Sequence, residues 1–367
     1  MRIERIEVYR GSLRYREPFR IALGTSTKSE NIVVRIITDF EVEGWGEASP
    51  DRRITGETPE TVIKAADKIG PKMIGACPLR IEQMVETMDR LVAGNSSAKA
   101  AIDMAIFDII GKEAKKPVFM LLGGYRDEVL TDITLGIKSP RQMARDAAEA
   151  VRRGFKALKV KVGVSPKQDV ERVERVREAI GSEIAIRVDA NQGWNARQAI
   201  DVLRKLEPYN VEFVEQPVKA EDIHGLAKVK RNSSIPVMAD ESVHSPEDAM
   251  RVIRAEAVDL INIKLMKSGG IWKAMKTVAI AEAAKIPCMV GCMGESKLGI
   301  TAAAHFAAAV KNVQHADLDS DMLLLDRLVK RGGAKVKDSK RILPHKNGLG
   351  ITTLDRKLLG KPVRIYK

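Results

Sequence analysis

One pattern, a short apolar run followed by an amphipathic helical segment, repeats along the second part of the chain between residues 132 and 319. The runs begin 24 to 28 residues apart, which is the length of one strand, one crossover helix and two short loops. In chain order the runs are DITLGI, ALKVKVG, AIRVDAN, VEFVEQP, IPVMADES, LINIKL, PCMVGCM and VQHADLD. Strands joined by crossover helices run parallel, and eight of them predict a closed α/β barrel.

Polar side chains fall at the C-terminal ends of these runs, after the apolar part. In an eight-stranded α/β barrel those ends converge on the face that carries the active site. Residues two positions apart on a strand point to the same side, so neighbouring members of the set share a direction. A solvated strand end explains any one of these residues but explains the whole set poorly. The set comprises Lys159, Lys161, Asp189, Asn191, Glu215, Asp240, Glu241, Lys264, Asp317 and Asp319.

The first part of the chain has a different pattern. Two stretches, RIERIEVYR and NIVVRIITDFEVEGWGEAS, alternate polar and apolar residues as antiparallel strands do, and residues 58–122 have helical periodicity. We therefore predict an α+β domain over residues 1–125 and the barrel over residues 126–331. The irregular tail, residues 332–367, is expected to return to the first domain.

A formal net charge of +13 raises the possibility of nucleic-acid binding. However, acids and bases alternate in segments such as KQDVERVERVREAI, only 4% of residues are aromatic, and no nucleic-acid-binding motif is present. The longest apolar stretches are shorter than the roughly 20 residues of a membrane-spanning helix, and MRIERIEVYR lacks the apolar segment of a signal peptide. We expect a cytoplasmic protein that binds neither nucleic acid nor membrane.

Three carboxylates stand on successive strands: Asp189, Glu215 and Asp240 are 26 and 25 residues apart. They are expected to lie side by side at the mouth of the barrel. Three oxygen ligands without His or Cys suit a hard cation such as Mg²⁺, whereas the same carboxylates without a metal repel one another. The plainer alternative is three unrelated acids that pair with nearby lysines.

Two lysines, Lys161 on the second run and Lys264 on the sixth, are expected to face each other across the barrel. A lysine acts as a base when its pKa falls from about 10.4 toward neutrality, and nearby positive charge lowers it. Two opposed lysines beside a metal indicate removal of a proton α to a carboxylate and return of a proton to the opposite face. A metal-free aldolase that forms a Schiff base on one lysine is the alternative.

The segments KVKVG, DANQGW, EQP, ADES and NIKLMKSGG together resemble the enolase superfamily, in its muconate-lactonising subgroup, over nearly the whole chain. The resemblance implies a modified (β/α)7β barrel of the TIM type, covered by an α+β capping domain formed by residues 1–125 and the tail. It implies a homo-oligomer with one Mg²⁺ per subunit. It also assigns roles: Asp189, Glu215 and Asp240 hold the metal, Lys161 and Lys264 are the acid/base pair, and Lys159 gives electrostatic support.

Within that subgroup, MVGCMGESKLGITAAAHFAA and the DLD segment look like those of dipeptide epimerases, in which the two acids matching Asp317 and Asp319 hold the substrate ammonium. The resemblance implies inversion of the α-carbon of the C-terminal residue of a dipeptide. N-acylamino acid racemases, o-succinylbenzoate synthases and cycloisomerases share the machinery, but their substrates lack that ammonium. They stay as alternatives.

Two loops of the first domain are candidates for substrate selection. Gly24 stands where many Ala-Glu epimerases carry an arginine that reads the acidic side chain, so we expect a side chain other than Glu. Asp51 is placed to receive a cationic side chain, and Arg52 and Arg53 an acidic one, although a solvated loop explains all three equally well. Four further candidates are Glu295 and Thr134, facing the substrate, and Asn191 and Glu241, orienting the metal ligands and Lys264.

Overall fold

The computed structural model describes residues 1–367. The first 125 residues form an antiparallel sheet with helices packed against it, as the alternating and helical stretches predict. The strands are β1 (Ile3–Ile21), β2 (Gly24–Thr38) and β3 (Glu43–Ala48). The helices are α1 (Pro59–Met73), α2 (Ile81–Leu91), α3 (Ser96–Glu113) and the single turn α4 (Val118–Leu121).

Helix α3 is buried on nearly every face because it lies between β3 and the second domain. Two glycines of β3 make this packing possible. A Cβ atom on Gly44 would lie 2.0 Å from the carbonyl oxygen of Ala105, and one on Gly46 would lie 1.8 Å from that of Ala101. These distances are far below van der Waals contact, so only glycine lets the strand approach the helix this closely.

The predicted repeats form one eight-stranded parallel sheet in which every strand neighbours the next along the chain. After the short strand β4 (Glu128–Leu130), the eight strands are β5 (Ile133–Leu135), β6 (Ala157–Lys161), β7 (Ala185–Asp189), β8 (Val211–Glu215), β9 (Val237–Ala239), β10 (Leu260–Ile263), β11 (Cys288–Val290) and β12 (Val313–Ala316). The helices between them are α5 (Pro140–Arg152), α6 (Pro166–Ile180), α7 (Ala196–Leu206), α8 (Ile223–Arg231), α9 (Pro246–Arg254), α10 (Leu265–Ser268), α11 (Ile271–Ala283) and α12 (Lys297–Ala309). The predicted (β/α)7β order is confirmed.

The barrel closes at the seam between β12 and β5, where no strand ladder forms. One backbone hydrogen bond crosses the seam, from Asp132 N to Ala316 O at 3.3 Å. Side chains complete the closure: Thr131 Oγ1 accepts from Leu318 N at 2.8 Å, and Asp319 Oδ2 accepts from Thr134 N at 2.6 Å. Residues of the candidate site therefore also hold the barrel together.

The tail contacts both domains. The elements that follow β12 are α13 (Ser320–Leu323), β13 (Val329–Gly332), β14 (Lys335–Lys337), β15 (Lys340–Ile342), β16 (Ile351–Leu354), α14 (Arg356–Leu359) and β17 (Arg364–Tyr366). Strand β17 extends the first sheet by pairing with β1, whereas β15 pairs with both β14 and β4 beside the barrel. Arg341 on β15 donates to Leu318 O at 2.7 Å and pairs with Asp321.

Apolar packing is divided between the two domains. A cluster of 76 buried residues centres on the barrel and its helices, and a cluster of 23 lies between the first sheet and α1 to α3. Inside the barrel a small group fills the end away from the mouth: Phe213, Met238, Leu260 and Met289. None of the helices combines the length and the hydropathy needed to cross a membrane.

Candidate active site

Lys159, on β6, is the centre of the charged group at the mouth. Its Nζ lies 2.7 Å from Asp317 Oδ2, 2.9 Å from Glu215 Oε2 and 3.1 Å from Asp189 Oδ2. The side chain is buried, and burial, which lowers its pKa, is the largest single influence on that pKa. The three carboxylates together nevertheless raise the pKa of Lys159 well above its ordinary value. Lys159 is therefore a permanent ammonium that holds acids from three strands together.

Lys161 and Lys264 lie on strands that are four positions apart in the eight-stranded sheet, so they face one another across the barrel. Lys161 Nζ donates to Asp189 Oδ2 at 2.6 Å and to Asn191 Oδ1 at 2.9 Å. Lys264 Nζ donates to Asp240 Oδ2 at 2.6 Å. Both lysines line the same cavity, of about 390 Å³, between the barrel and the first domain. Any molecule in this cavity has one lysine on each side.

The predicted trio of acids is assembled as expected, on β7, β8 and at the end of β9. Burial, and then the charge of Asp189, raise the pKa of Glu215 to about 8. Burial also opposes the charge of Asp240, but Lys264 and Lys267 outweigh it and hold the pKa of this carboxyl well below its usual range. The pKa values of these two neighbouring carboxyls thus shift in opposite directions, because each carboxyl is paired with a different number of ammonium groups.

Two oxygens of this trio have no hydrogen bond although they are buried: Glu215 Oε2 and Asp240 Oδ1 contact only ammonium groups, at 2.9 and 2.6 Å. Glu241 Oε2, beside them, is also buried without a partner. The first two oxygens are thus satisfied by positive charge alone and the third has no partner, so buried acceptors at this place favour a cation. Because Asp189, Glu215 and Asp240 offer only carboxylate oxygens, the donor set fits a hard cation such as Mg²⁺.

Asp317 and Asp319 follow β12 and face the mouth beside Lys159. Burial opposes the charge of Asp317, but Lys159 outweighs it and lowers the pKa of this carboxyl to about 2. Burial and then Asp317 raise the pKa of Asp319 to about 6. Thr134 contacts this pair, since its hydroxyl lies 3.4 Å from Asp317 Oδ1 and its N–H donates to Asp319.

Cys292 adds a thiol to the acidic pair. Ligand atoms of Cys292, Asp317 and Asp319 all lie within 4.8 Å of one another, a spacing that a metal ion would fit. Burial, however, raises the pKa of the Cys292 thiol well above its ordinary value, and metal ligation requires the thiolate. Two carboxylates without a thiolate or imidazole suit an organic ammonium better than a soft metal.

Sequence reasoning missed two residues of the site, Lys267 and Asn262. Lys267 Nζ lies 2.6 Å from Asp240 Oδ1 and donates to Asn262 O at 3.0 Å. Asn262 Nδ2 donates to Glu215 Oε1 at 2.8 Å. Spacing along the chain was the available signal: Asn262 is two residues before Lys264 on β10, and Lys267 is one helical turn after it.

The predicted supporting residues have different placements. Asn191 Nδ2 donates to Glu241 Oε1 at 3.2 Å, its Oδ1 accepts from Lys161 Nζ at 2.9 Å, and its N–H donates to Asp189 Oδ1 at 2.8 Å, so Asn191 contacts a metal-ligand candidate but holds Lys161 rather than Lys264. Burial, and then the charge of Asp240, raise the pKa of Glu241 to about 7. Glu295 is instead folded back on its own loop, where it accepts from Met293 N at 2.5 Å, and it does not line the cavity.

The two loops of the first domain cover the cavity. Asp51, Arg52 and Arg53 line it, and Arg53 Nη1 lies 3.1 Å from the position that a Cβ atom on Gly24 would take. Asp51 and Arg53 form a salt bridge of 2.5 Å between Oδ2 and Nη2, whereas Arg52 makes no side-chain hydrogen bond or ion pair and is exposed. Neither Asp51 nor Arg53 thus presents a free charge.

Two family profiles match the chain. The profile "Enolase C-terminal domain-like" matches residues 142–357, and "Mandelate racemase / muconate lactonizing enzyme, N-terminal domain" matches residues 5–123. Together these matches span the barrel and the domain that covers it.

Among curated relatives, a hydrophobic dipeptide epimerase of Enterococcus faecalis is 45% identical over 87% of this chain and 91% of its own length. An L-Ala-D/L-Glu epimerase of Clostridium acetobutylicum is 44% identical over 93% and 96%. A crystal structure of an Enterococcus faecalis dipeptide epimerase with Mg and L-Leu-L-Tyr has a TM-score of 0.94 at 43% identity, covering 96% of this chain and 100% of that one. The similarity therefore extends over both domains.

Proposed function

Because the chain belongs to the enolase superfamily, in its mandelate racemase / muconate lactonizing enzyme branch, we propose that the charged cavity epimerises dipeptides. The observation that carries the proposal is the presence of two opposed lysines in one cavity, with the acidic pair Asp317 and Asp319 close by beside Lys159 and Cys292. The chain is an isomerase that inverts the α-carbon of the C-terminal residue of a dipeptide.

The two lysines account for the inversion. With the α-carbon between them, the amine of one takes the α-proton, and the electron pair of the broken C–H bond moves into the substrate carboxylate to give an enediolate. The ammonium of the other lysine then donates a proton to the opposite face. Mg²⁺, held by Asp189, Glu215 and Asp240, supplies when bound a fixed positive charge for that carboxylate and neutralises the acids beside the lysines.

Lys159 supports the same step without transferring a proton. Its contact with three carboxylates keeps it charged, so it adds a second fixed positive charge at the place where negative charge develops. Lys267 and Asn262 hold Asp240 and Glu215 in position through their hydrogen bonds and ion contact. These contacts preorganise the mouth before a substrate enters.

Asp317 and Asp319 favour a dipeptide over an N-acylated amino acid. Two buried carboxylates beside the lysines provide charge-assisted acceptors for an ammonium, and an N-acyl group offers no charge to them. In a bound dipeptide, one peptide unit then spans the distance between the ammonium held by this pair and the carbon held between the lysines. In the alternative enzymes of the superfamily, Asp319 would have no substrate ammonium to bind, and only its contact with Thr134 across the seam would remain.

Deuterium exchange tests this function. A dipeptide library incubated with the protein and Mg²⁺ in D₂O is expected to gain one deuterium at the C-terminal α-carbon, measured by mass spectrometry, and the exchange is expected to stop on chelation. If no dipeptide gains deuterium while an N-succinylamino acid does, the protein is a racemase of acylated amino acids. Borohydride trapping of a substrate adduct in the presence of chelator would instead indicate an aldolase.

Three further expectations stay predictions. Two of them are the homo-oligomer and the cytoplasmic location. A C-terminal side chain other than Glu is supported by the pairing of Arg53 with Asp51, because the guanidinium nearest to Gly24 is already occupied.

A further inference from the structure

A salt bridge between Asp51 and Arg53 forms part of the roof of the cavity. Arg53 donates to Asp51 Oδ1 from Nε at 3.0 Å and to Oδ2 from Nη2 at 2.5 Å, a two-point contact. The backbone N–H of Arg53 also donates to Asp51 Oδ1 at 2.8 Å. Nη2 further donates to Ser26 Oγ at 3.1 Å on the other loop. The guanidinium thus joins the two loops while its charge is matched by one carboxylate.

Gly24 provides the space that this guanidinium uses. Its φ of +139° is a conformation that side chains rarely adopt, and a Cβ atom there would lie 3.1 Å from Arg53 Nη1. An arginine therefore reaches this part of the cavity from residue 53 rather than from residue 24. Asp51 lies at the same place and cancels its charge.

One wall of the cavity is apolar: the rings of Tyr15 and Phe19 stack there with centroids 5.7 Å apart. Ile21, Ile54 and Met293 also line the cavity. Polar and charged residues, among them Lys28, Glu30 and Glu57, make up most of the remaining lining. Lys161 and Lys264 line the cavity too, so a side chain on the carbon held between these lysines enters the space beside the apolar wall.

We propose that Asp51 masks Arg53, so that the cavity selects apolar C-terminal side chains and rejects acidic ones, and that removing the charge of Asp51 opens the enzyme to acidic side chains. This inference rests on the proposed epimerase function and names its substrate class. An acidic side chain gains attraction from Arg53 but meets equal repulsion from Asp51, and it loses its own hydration. An apolar side chain is not repelled by Asp51 and loses no hydration of a charge, and it gains contact with the aromatic wall.

Arg52 does not change this conclusion. Arg52 and Arg53 are both exposed residues of the lining, but Arg52 has no ion pair or side-chain hydrogen bond, whereas Arg53 is held by Asp51 and Ser26. An exposed charge that no partner holds in one position is screened and contributes little to selection. The guanidinium that decides the charge of the roof is Arg53, whose side chain is 31% exposed.

The test compares kcat/KM for L-Ala-L-Leu and L-Ala-L-Glu, each measured as α-deuterium incorporation in D₂O with Mg²⁺. The wild-type protein is expected to prefer L-Ala-L-Leu. Asp51→Asn keeps the side-chain oxygen that accepts from Arg53 N but removes the charge. It is expected to shift the ratio toward L-Ala-L-Glu by about twofold to fivefold, the range for a partly exposed charge pair.

The double variant Asp51→Asn with Arg53→Met identifies the source of the change. If the unmasked guanidinium recognises the acid, the second substitution is expected to cancel the gain. As a matched control, Asp67→Asn removes the carboxylate from a pair with Arg364 elsewhere in the first domain, 2.8 Å apart, and is expected to leave the ratio unchanged. If a variant turns over slowly, the preference is obtained instead from the dissociation constants of non-exchanging analogues of the two dipeptides.

The outcomes distinguish a failure of the masking proposal from a failure of the epimerase function. If L-Ala-L-Leu exchanges but Asp51→Asn does not move the ratio, or if the wild-type protein prefers L-Ala-L-Glu, the masking proposal is overturned and the epimerase function stands. If no dipeptide exchanges with the wild-type protein, the proposed function itself is wrong.

Discussion

The barrel carries a buried charged cluster at each end, and the two clusters share strands. The mouth cluster contains Lys159, Lys161, Asp189, Glu215, Asp240, Lys264 and Lys267. The base cluster contains Arg187, Asp132, Glu212 and His315. Arg187 and Asp189 are two residues apart on β7 and belong to opposite clusters.

The two clusters differ in how their groups are satisfied. At the base, Arg187 lies 2.8 Å from Asp132 Oδ2 and 2.7 Å from Glu212 Oε2, and donates to Ala316 O at 3.0 Å. One carboxylate oxygen, Asp132 Oδ1, has no partner there. At the mouth, Glu215 Oε2 and Asp240 Oδ1 contact only lysine ammonium groups, and the adjoining Glu241 Oε2 has no partner. The clusters differ most in their surroundings, because Lys161 and Lys264 of the mouth cluster line a cavity, whereas the base charges pair with one another inside the fold.

Replacing a mouth lysine is expected to have the largest effect. Lys161→Ala or Lys264→Ala should each lower kcat for epimerisation by about 10³-fold to 10⁴-fold, because each lysine handles the proton on one face. Exchange in D₂O distinguishes them: each variant should retain α-deuterium exchange with one epimer only, and the retained epimers should be opposite. Exchange of both epimers in either variant would exclude the two-lysine mechanism.

Replacing the base arginine is expected to affect stability instead of chemistry. Arg187→Met leaves Asp132 buried without its partner, so the free energy of unfolding should fall by about 3 kcal/mol. Urea unfolding gives this value, and kcat per folded molecule should stay within about threefold of wild type. A large loss of kcat without a loss of stability would show that the base cluster belongs to the site.

The substitution Asp319→Asn tests whether the acidic pair at the mouth binds substrate or only closes the barrel. It keeps an acceptor for Thr134 N but removes the charge proposed for the substrate ammonium, so kcat/KM for a dipeptide should fall by about 100-fold. Slow turnover of an N-succinylamino acid, if present, should not fall. Equal losses with both substrates would place the role of Asp319 in the barrel seam.

His315 gives the base cluster a pH dependence. Burial, and then the charge of Arg187, lower its pKa to about 4, while Glu212 opposes this shift. Because the folded pKa lies below the unfolded value of about 6.5, this stability is present above pH 6.5 and is lost as pH falls toward 4. His315→Gln should reduce the stability lost between pH 7 and pH 5 by about 1 to 2 kcal/mol, measured by urea unfolding at both values. An unchanged loss would contradict the assignment.

Much of the mouth cluster follows from the sequence because the ends of successive parallel strands must converge. The spacing of Asp189, Glu215 and Asp240 on neighbouring repeats places them side by side once the barrel forms, and the barrel follows from the repeats. The base cluster was not predicted. Arg187 and His315 lie inside their runs, two residues before Asp189 and Asp317, so strand alternation was the available signal that they point to the same side as those acids.

The two loops of the first domain were the part of the site that the sequence predicted least well. Gly24 and Asp51 were candidates, but the sequence left open whether Asp51 or Arg53 would be free to meet a substrate. Their pairing is local, two residues apart, whereas the position of the guanidinium over Gly24 depends on how two loops of the first domain pack. Loop packing has no periodic signal comparable to that of strands and helices.

The sequence by itself determined the barrel, the order of its strands and the residues at their C-terminal ends, because periodicity and spacing translate directly into parallel strands with a common edge. Only the tertiary structure decided the contacts that join distant parts of the chain. Asp319 meets Thr134 across the seam, Lys267 meets Asp240, and Arg53 covers Gly24. Such contacts depend on where whole elements settle against each other, and no local pattern in the chain encodes that packing.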